Sequence, residues 1–248
     1  MVSHWVSRAF SHILLIGASI VVGLPFFWML TTAFKSDTEV GVFPPIWLPA
    51  ALQWDNFTEV WNSAPFGIFY VNSVVTTVSG MILEVIIGAL AAYAFARIEF
   101  PTRDALFLIV LATMMIPGEM ALVPNFLTVR TLGWVNTYPG IVIPYVSSAF
   151  GCFLLRQAFL AMPQELFDAA KIDGAGHLRI LTFIALPMAR PVVATFALFL
   201  FIAKWNAYLW PLIVTNTWSM RTLPIGLILV RDAESTLGWQ HLMAASLL

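Results

Sequence analysis

Long apolar runs separated by short polar breaks organise the chain. Five of them, about 13–34, 72–96, 105–126, 137–160 and 191–214, reach the length a helix needs to cross a membrane core, roughly 20 residues. A sixth run begins near Trp239 and stops at Leu248; as a helix it would cover only about half of a ~30 Å core, so a final span, truncated here, is expected. The pattern predicts an all-α membrane protein, a six-span helical bundle forming a single transmembrane domain over 1–248. Few charges interrupt the runs: Glu84 in the second, Glu119 near the end of the third and Lys204 in the fifth. Each should face protein or a wet cavity, because lipid exposure is costly. Lys204 with Asn206 reads either as a contact for a polar or anionic solute near the midplane or as a structural group at a helix seam. Glu84 reads foremost as a structural hydrogen-bonding group, with the solute path as its second reading. Gly88, Ala92 and Ala96 present a shallow stripe for close helix contact. Pro117, Pro124, Pro139, Pro144 and Pro211 should bend or break their spans, which is tolerated where the freed backbone groups find partners.

Composition supports the lipid reading and removes several others. Only 10% of the 248 residues are charged, 60% are hydrophobic, and the mean hydropathy is +0.88. A soluble domain of this length has no room to hide so much apolar side chain. A net charge of −1 gives no reason to expect a nucleic-acid partner. The single cysteine, Cys152, lies in an apolar run, and His4, His12, His177 and His241 show no metal-ligand spacing, so no metal site is expected. With the N-terminus on the cytoplasmic side, the inner segments hold Arg8, Arg97, Arg103, Arg156, Lys171, Arg179 and Arg190. The outer ones hold Lys35, Arg130, Arg221 and Arg231, so seven basic residues against four favour this orientation. The outer segment 35–71, with Trp47, Trp54 and Trp61 among its prolines, reads as irregular chain anchored at the membrane surface or as a contact for an external partner.

The longest polar stretch on the inner side, 163–191, has the grammar of two short helices. Pro163 suits a helix start, Glu165 and Asp168 sit near the positive end of its dipole, and Ala169 and Ala170 keep one face shallow. Gly174 supplies a left-handed stop, and a second helix from Gly176 to Ala185 runs into Pro187. An amphipathic loop lying on the inner leaflet would use the same residues. The spacing of Asp168-Ala169-Ala170, Gly174, Ile184 and Leu186-Pro187 resembles the signature loop of ABC importer permeases. Asp168 stands where that family usually has glutamate, one methylene longer. Phe27-Trp28-Met29, the run Gly88 to Arg97, Trp205-Asn206 with Trp210-Pro211-Leu212, and Met220 to Pro224 extend the resemblance over almost the whole chain, toward the sugar and glycerol-3-phosphate permeases and the smaller permease of the maltose transporter.

The resemblance implies a permease subunit, without catalysis of its own, in a prokaryotic plasma (inner) membrane. Its partners would be a second, related permease, two ATPase subunits that carry the ATP and Mg, and an extracytoplasmic substrate-binding protein. Glu165, Asp168, Ala169, Ala170, Asp173, Gly174, Ala175, Ile184 and Pro187 would form the surface coupled to the ATPase, and no cofactor belongs to this chain. Arg221, in the outer loop before the last span, is a candidate contact for the binding protein or simply an exposed loop residue. The solute would be glycerol 3-phosphate, a glycerophosphodiester, or an oligosaccharide of maltose or trehalose type, with a lean to the phosphate branch. An ion-coupled secondary transporter is the competing class; no pair of repeated halves supports it. A membrane enzyme would need a motif such as His-Glu-x-x-His or Gly-x-Ser-x-Gly, and neither is present. None of the three lysines follows a glycine, so a Walker phosphate loop is excluded.

Overall fold

The computed structural model describes residues 2–232 and 238–248, and every regular element among them is helical. In chain order the helices are α1 (Val2–Ala33), α2 (Asp55–Ser63), α3 (Phe66–Arg97), α4 (Arg103–Ala112) and α5 (Leu122–Thr131). They continue with α6 (Tyr138–Val142), α7 (Ala149–Leu160), α8 (Gln164–Ile172), α9 (His177–Ile180) and α10 (Leu186–Met188). The last are α11 (Arg190–Trp205), α12 (Leu209–Val214), α13 (Leu223–Asp232) and α14 (Trp239–Leu247). Two stretches, Phe10–Ala33 and Phe66–Arg97, are long and apolar enough to cross a membrane unbroken; three bent helix pairs reach that length when each pair is taken together.

The expected third and fourth spans are broken helices. Between Arg103–Met115 and Gly118–Thr131 the axis turns by 93°, and between Tyr138–Tyr145 and Ala149–Leu160 by 54°. The first break falls at Ile116-Pro117, where the proline forces its predecessor into extended backbone (φ −88°, ψ 118°). The second follows Pro144. Both helices of the second pair start from a local cap: the Thr137 hydroxyl accepts the Gly140 amide at 3.2 Å to cap α6, and the Ser148 hydroxyl accepts that of Gly151 at 3.1 Å to cap α7. The fifth run divides into α11 and α12, separated by Asn206 to Tyr208.

The chain forms two compact units. In the unit spanning 67–224, α3 buries one stripe at helical spacing. Asn72, Ser73, Thr76, Thr77 and Glu84 occupy its first part, and Ala89, Ala92, Tyr93 and Ala96 its second. The small residues admit α7 and α11. A Cβ on Gly88 would meet Phe196, Gly151 and Leu155 at 3.7–3.8 Å, and one on Gly151 would lie 2.1 Å from the Phe196 ring. Helix contact this close needs hydrogen at residue 151. Leu155, Phe159, Phe167, Ile180 and Phe196 complete a core in which each is at most 1% exposed.

The other unit joins residues 1–66 to 225–248. Here α14 packs on α1 and α2, and His241 Nε2 lies 2.8 Å from the Glu59 carboxylate. Part of the expected irregular segment 35–71 is helical: α2 and the first turns of α3 lie inside it. The remainder is tied down by backbone groups. Asn56 donates to the carbonyls of Ala33 and Lys35, both at 2.9 Å. Glu39 accepts the amides of Ser36 (2.9 Å) and Ala50 (2.8 Å). These donors, with the Ser36 hydroxyl, hold the Glu39 carboxyl below the usual carboxylate range. Trp47, Trp54 and Trp61 all remain half exposed, which suits a membrane-surface anchor and a partner contact alike.

Candidate solute path and coupling loop

The broken helices of the 67–224 unit enclose a cavity of about 510 Å³. Thr76, Glu84, Glu119, Tyr145, Lys204 and Tyr208 are among the polar residues of its wall. Lys204, the penultimate residue of α11, extends its ammonium to the Glu84 carboxylate at 2.7 Å. It also donates to the Tyr145 carbonyl at 2.9 Å. That carbonyl sits at the break after Pro144, where the regular ladder stops, so the lysine supplies the partner the backbone loses. Gly80, one turn before Glu84 on α3, is the seat of this arm: a Cβ there would come within 3.1–3.4 Å of Lys204 Cδ, Cε and Nζ.

Trp210 does the same for the carbonyls nearer the start of α6. Its indole N–H is shared between Gly140 O (3.2 Å) and Ile141 O (3.1 Å), while Tyr145 packs edge-on against the ring at 5.3 Å. Two side chains from α11 and α12 thus serve the carbonyls of a short helical segment, Tyr138–Tyr145, that stops inside the bundle, an arrangement tolerated at membrane depth only where the freed groups line a cavity or are covered by protein. Of the path residues expected from the sequence, Glu84 and Lys204 meet on this wall. Asn206 does not join them: it is exposed at the end of α11, and its amide donates back to Ile202 O at 2.7 Å. Glu119, in the turn between α4 and α5, faces the cavity as a second carboxylate. Gly80 and Tyr145 were not apparent as site residues, since nothing in the sequence pairs them with a lysine more than fifty positions away.

Arg221 is half-buried, with its guanidinium 5.6 Å over the Trp218 ring. Asn72 fixes the surrounding loop by donating to the carbonyls of Ser219 and Arg221, both at 2.9 Å, and by accepting the Tyr138 hydroxyl at 2.7 Å. The loop is therefore a braced platform. An asparagine at the head of an apolar run was the available signal for it.

The 163–191 segment forms the two helices its sequence predicts. Helix α8 ends in a Schellman motif: the Gly174 amide bonds Lys171 O at 3.0 Å, the Ala175 amide bonds Ala170 O at 2.9 Å, and Gly174 has φ +76°. The second helix, His177 to Met188, widens into π turns over Leu181–Ala185, immediately before Pro187, which has no amide to give the ladder. It meets α11 at 84°. The expected coupling residues divide between two faces. Glu165, Asp168, Ala169, Asp173 and Gly174 are exposed, whereas Ala170 is buried and Ala175, Ile184 and Pro187 are half-buried against the bundle. The outer face also carries large apolar side chains, Ile172 (86% exposed), Leu178 (68%) and Phe183 (75%). Uncovered apolar side chains with polar neighbours are what protein-contact and membrane-contact surfaces share.

Known proteins share this chain's sequence and fold. Residues 84–248 match the family described as the binding-protein-dependent transport system inner membrane component. The diacetylchitobiose uptake system permease protein of Streptomyces coelicolor is 39% identical over 211 residues, covering 84% of this chain and 69% of its own length. The sn-glycerol-3-phosphate transport system permease protein of Yersinia enterocolitica is 32% identical over 246 residues, covering 96% of this chain and 88% of its own. A chain from a bacterial ABC transporter involved in importing the acidic polysaccharide alginate has the same fold. It aligns with a TM-score of 0.85 over 99% of this chain and 91% of its own, at 24% identity.

Proposed function

Because the chain belongs to the inner membrane components of binding-protein-dependent transport systems, we propose that it forms half of an alternating-access path for a neutral, hydroxylated solute of oligosaccharide type. As a member of that family it is a multi-pass, non-catalytic permease subunit of an importer. In this reading 1–248 is one permease domain with a cytoplasmic N-terminus, paired with a second permease. Two ATPase subunits bind ATP and Mg and receive the outer face of the 163–191 loop. The binding protein delivers solute on the opposite side, where Arg221 lies on the loop braced by Asn72.

One observation carries the choice of solute: Lys204 is already paired with Glu84 at 2.7 Å. The lysine had favoured an anionic ligand while it was read alone. Paired, it offers an incoming phosphate little, and releasing it would leave the buried Glu84 uncompensated, at a cost of about 3–5 kcal/mol. Glu119 adds a second carboxylate to the same wall. Hydroxyls from Thr76 and Tyr208 and the ring faces of Tyr145 and Trp210 suit a sugar instead. The likeness to permeases named for sn-glycerol 3-phosphate keeps a phosphate ester as the second reading.

The test is ATP hydrolysis by the complete reconstituted complex with its binding protein. It is challenged in turn with diacetylchitobiose, maltose, trehalose, glycerol 3-phosphate and a glycerophosphodiester. Stimulation by a neutral sugar is expected. Stimulation by the phosphate esters alone would overturn the choice of solute and return Lys204 to the role of an anion contact.

A further inference from the structure

We infer that Arg97 is a positioning residue for energy coupling, the side chain through which movement of the 163–191 loop is passed into α3. The inference rests on the reading of that loop as the ATPase docking surface, and it concerns what lies behind the surface. Arg97 is the last residue of α3, and its guanidinium reaches three separate parts of the chain. It donates to the carbonyls of Phe159, in the last turn of α7, and of Met162, the latter at 2.8 Å. It also donates to the Gln164 side chain and lies 3.8 Å over the ring of Phe167, both in α8.

The chemistry of this knot needs arginine. One plane of N–H donors serves two carbonyls and an amide while its face covers an aromatic ring, and an ammonium has neither the plane nor the reach. A cation is also favoured at the C-terminal end of α7, where carbonyls outnumber helical donors. Phe159 and Phe167 are 0% and 1% exposed, so the knot is anchored on both sides in the core. Gln164 in turn donates to the Asp168 carboxylate at 3.0 Å, which links the knot to the outer face of α8. The only other side-chain hydrogen bond from α3 to the loop among the described residues is the longer contact of Tyr93 Oη with His177 Nδ1, at 3.4 Å.

What α3 carries makes the connection consequential. Unlike the segments between residues 103 and 160, α3 is unbroken from Phe66 to Arg97 and contains no proline. Glu84 lies thirteen residues before Arg97, about 20 Å along that rod. A push on α8 is therefore delivered, through Arg97, to the helix that bears Gly80 and Glu84 on the cavity wall. This is shear transmission along a rigid element.

The experiment compares wild type with Arg97→Gln, Arg97→Lys and Phe167→Leu in proteoliposomes containing the whole complex and its binding protein. Uptake of diacetylchitobiose, or of whichever solute stimulates wild type, and ATP hydrolysis are measured in the same vesicles and normalised to assembled complex. The solute moved per ATP should fall roughly tenfold in Arg97→Gln, and less in Arg97→Lys and Phe167→Leu, with the ATPase subunits still bound. A residue that merely stabilises the fold would lower uptake and hydrolysis in proportion. A ratio equal to wild type in all three variants overturns the inference. Should Arg97→Gln fail to assemble, the two milder variants decide it. If wild-type hydrolysis is not stimulated by any loaded binding protein, the docking reading itself fails, a result distinct from failure at Arg97.

Discussion

The cavity wall and the 163–191 loop solve the same problem, unsatisfied backbone where a helix stops, by opposite means. At the wall the partners come from far away in sequence: Lys204 serves the Tyr145 carbonyl and Glu84, and Trp210 serves Gly140 and Ile141. In the loop the partners are local, with the amides of Gly174 and Ala175 returning to carbonyls three and five residues back. Long-range partners tie three helices to one charge pair, so a change in any helix is felt at the cavity. Local partners leave the loop's outer face free of structural duty and open to another protein. In the proposed cycle, the difference would separate a part that responds to movement from a part that keeps its shape while being pushed.

The largest effect is expected where that contrast is sharpest, at the charge pair. Glu84→Ala leaves the Lys204 ammonium in a mostly buried site without its carboxylate, which should cost about 3 kcal/mol. That is the low end for breaking a buried pair, because Lys204 keeps the Tyr145 carbonyl and some access to the cavity. The double replacement Glu84→Gln with Lys204→Met removes both charges and should recover most of the loss. Unfolding half-lives of the purified variants in detergent measure this. A double variant no better than the single would show that the pair is not what Glu84 contributes.

An intermediate effect is expected in the loop. Gly174 has open space around its Cα, so Gly174→Val meets no clash, only the left-handed backbone at φ +76°. That strain is worth about 1–2 kcal/mol, roughly a 5–30-fold loss of correctly terminated loop. Uptake should fall accordingly, while membrane insertion and thermal stability of the subunit stay near wild type. Normal uptake would sink the docking argument and leave the loop as an ordinary surface feature.

The same contrast explains how much could be read before the fold was known. The loop was legible almost residue by residue, because Pro163, Gly174 and Pro187 act on their own neighbours. The spans were legible as apolar runs, but the 93° turn at Ile116-Pro117 was not: apolar composition reports the solvent a helix prefers and says nothing of its direction. Glu84 and Lys204 were each legible as costly charges at membrane depth. Their partnership spans 120 positions and no local pattern encodes it, so Lys204 looked available to an anion. Arg97 was legible as one of seven basic residues on the inner side and as the end of the run from Gly88, but not as a knot, since two of its acceptors are main-chain carbonyls, which every residue has.

Glu39 offers the mildest test of the local strategy, in the other unit of the chain. Its carboxylate closes the turn from Ser36 and reaches the Ala50 amide in a partly solvent-exposed place, so its contribution to stability is small and screened. The sign of its pH dependence is nevertheless fixed. Backbone donors, the Ser36 amide first, lower its folded pKa below the ordinary 4.5. The folded turn therefore holds its proton less tightly than the unfolded chain. The stabilisation is complete above the unfolded value and is lost as pH falls through the lowered folded one. Amide-exchange protection of Ser36 and Ala50 should be flat near neutrality and decline only in that acidic window, and Glu39→Gln should abolish the decline while leaving α2 protected. A decline that persists in the glutamine variant would mean another carboxylate governs the segment, and that the turn, like the cavity wall, depends on a partner from farther away.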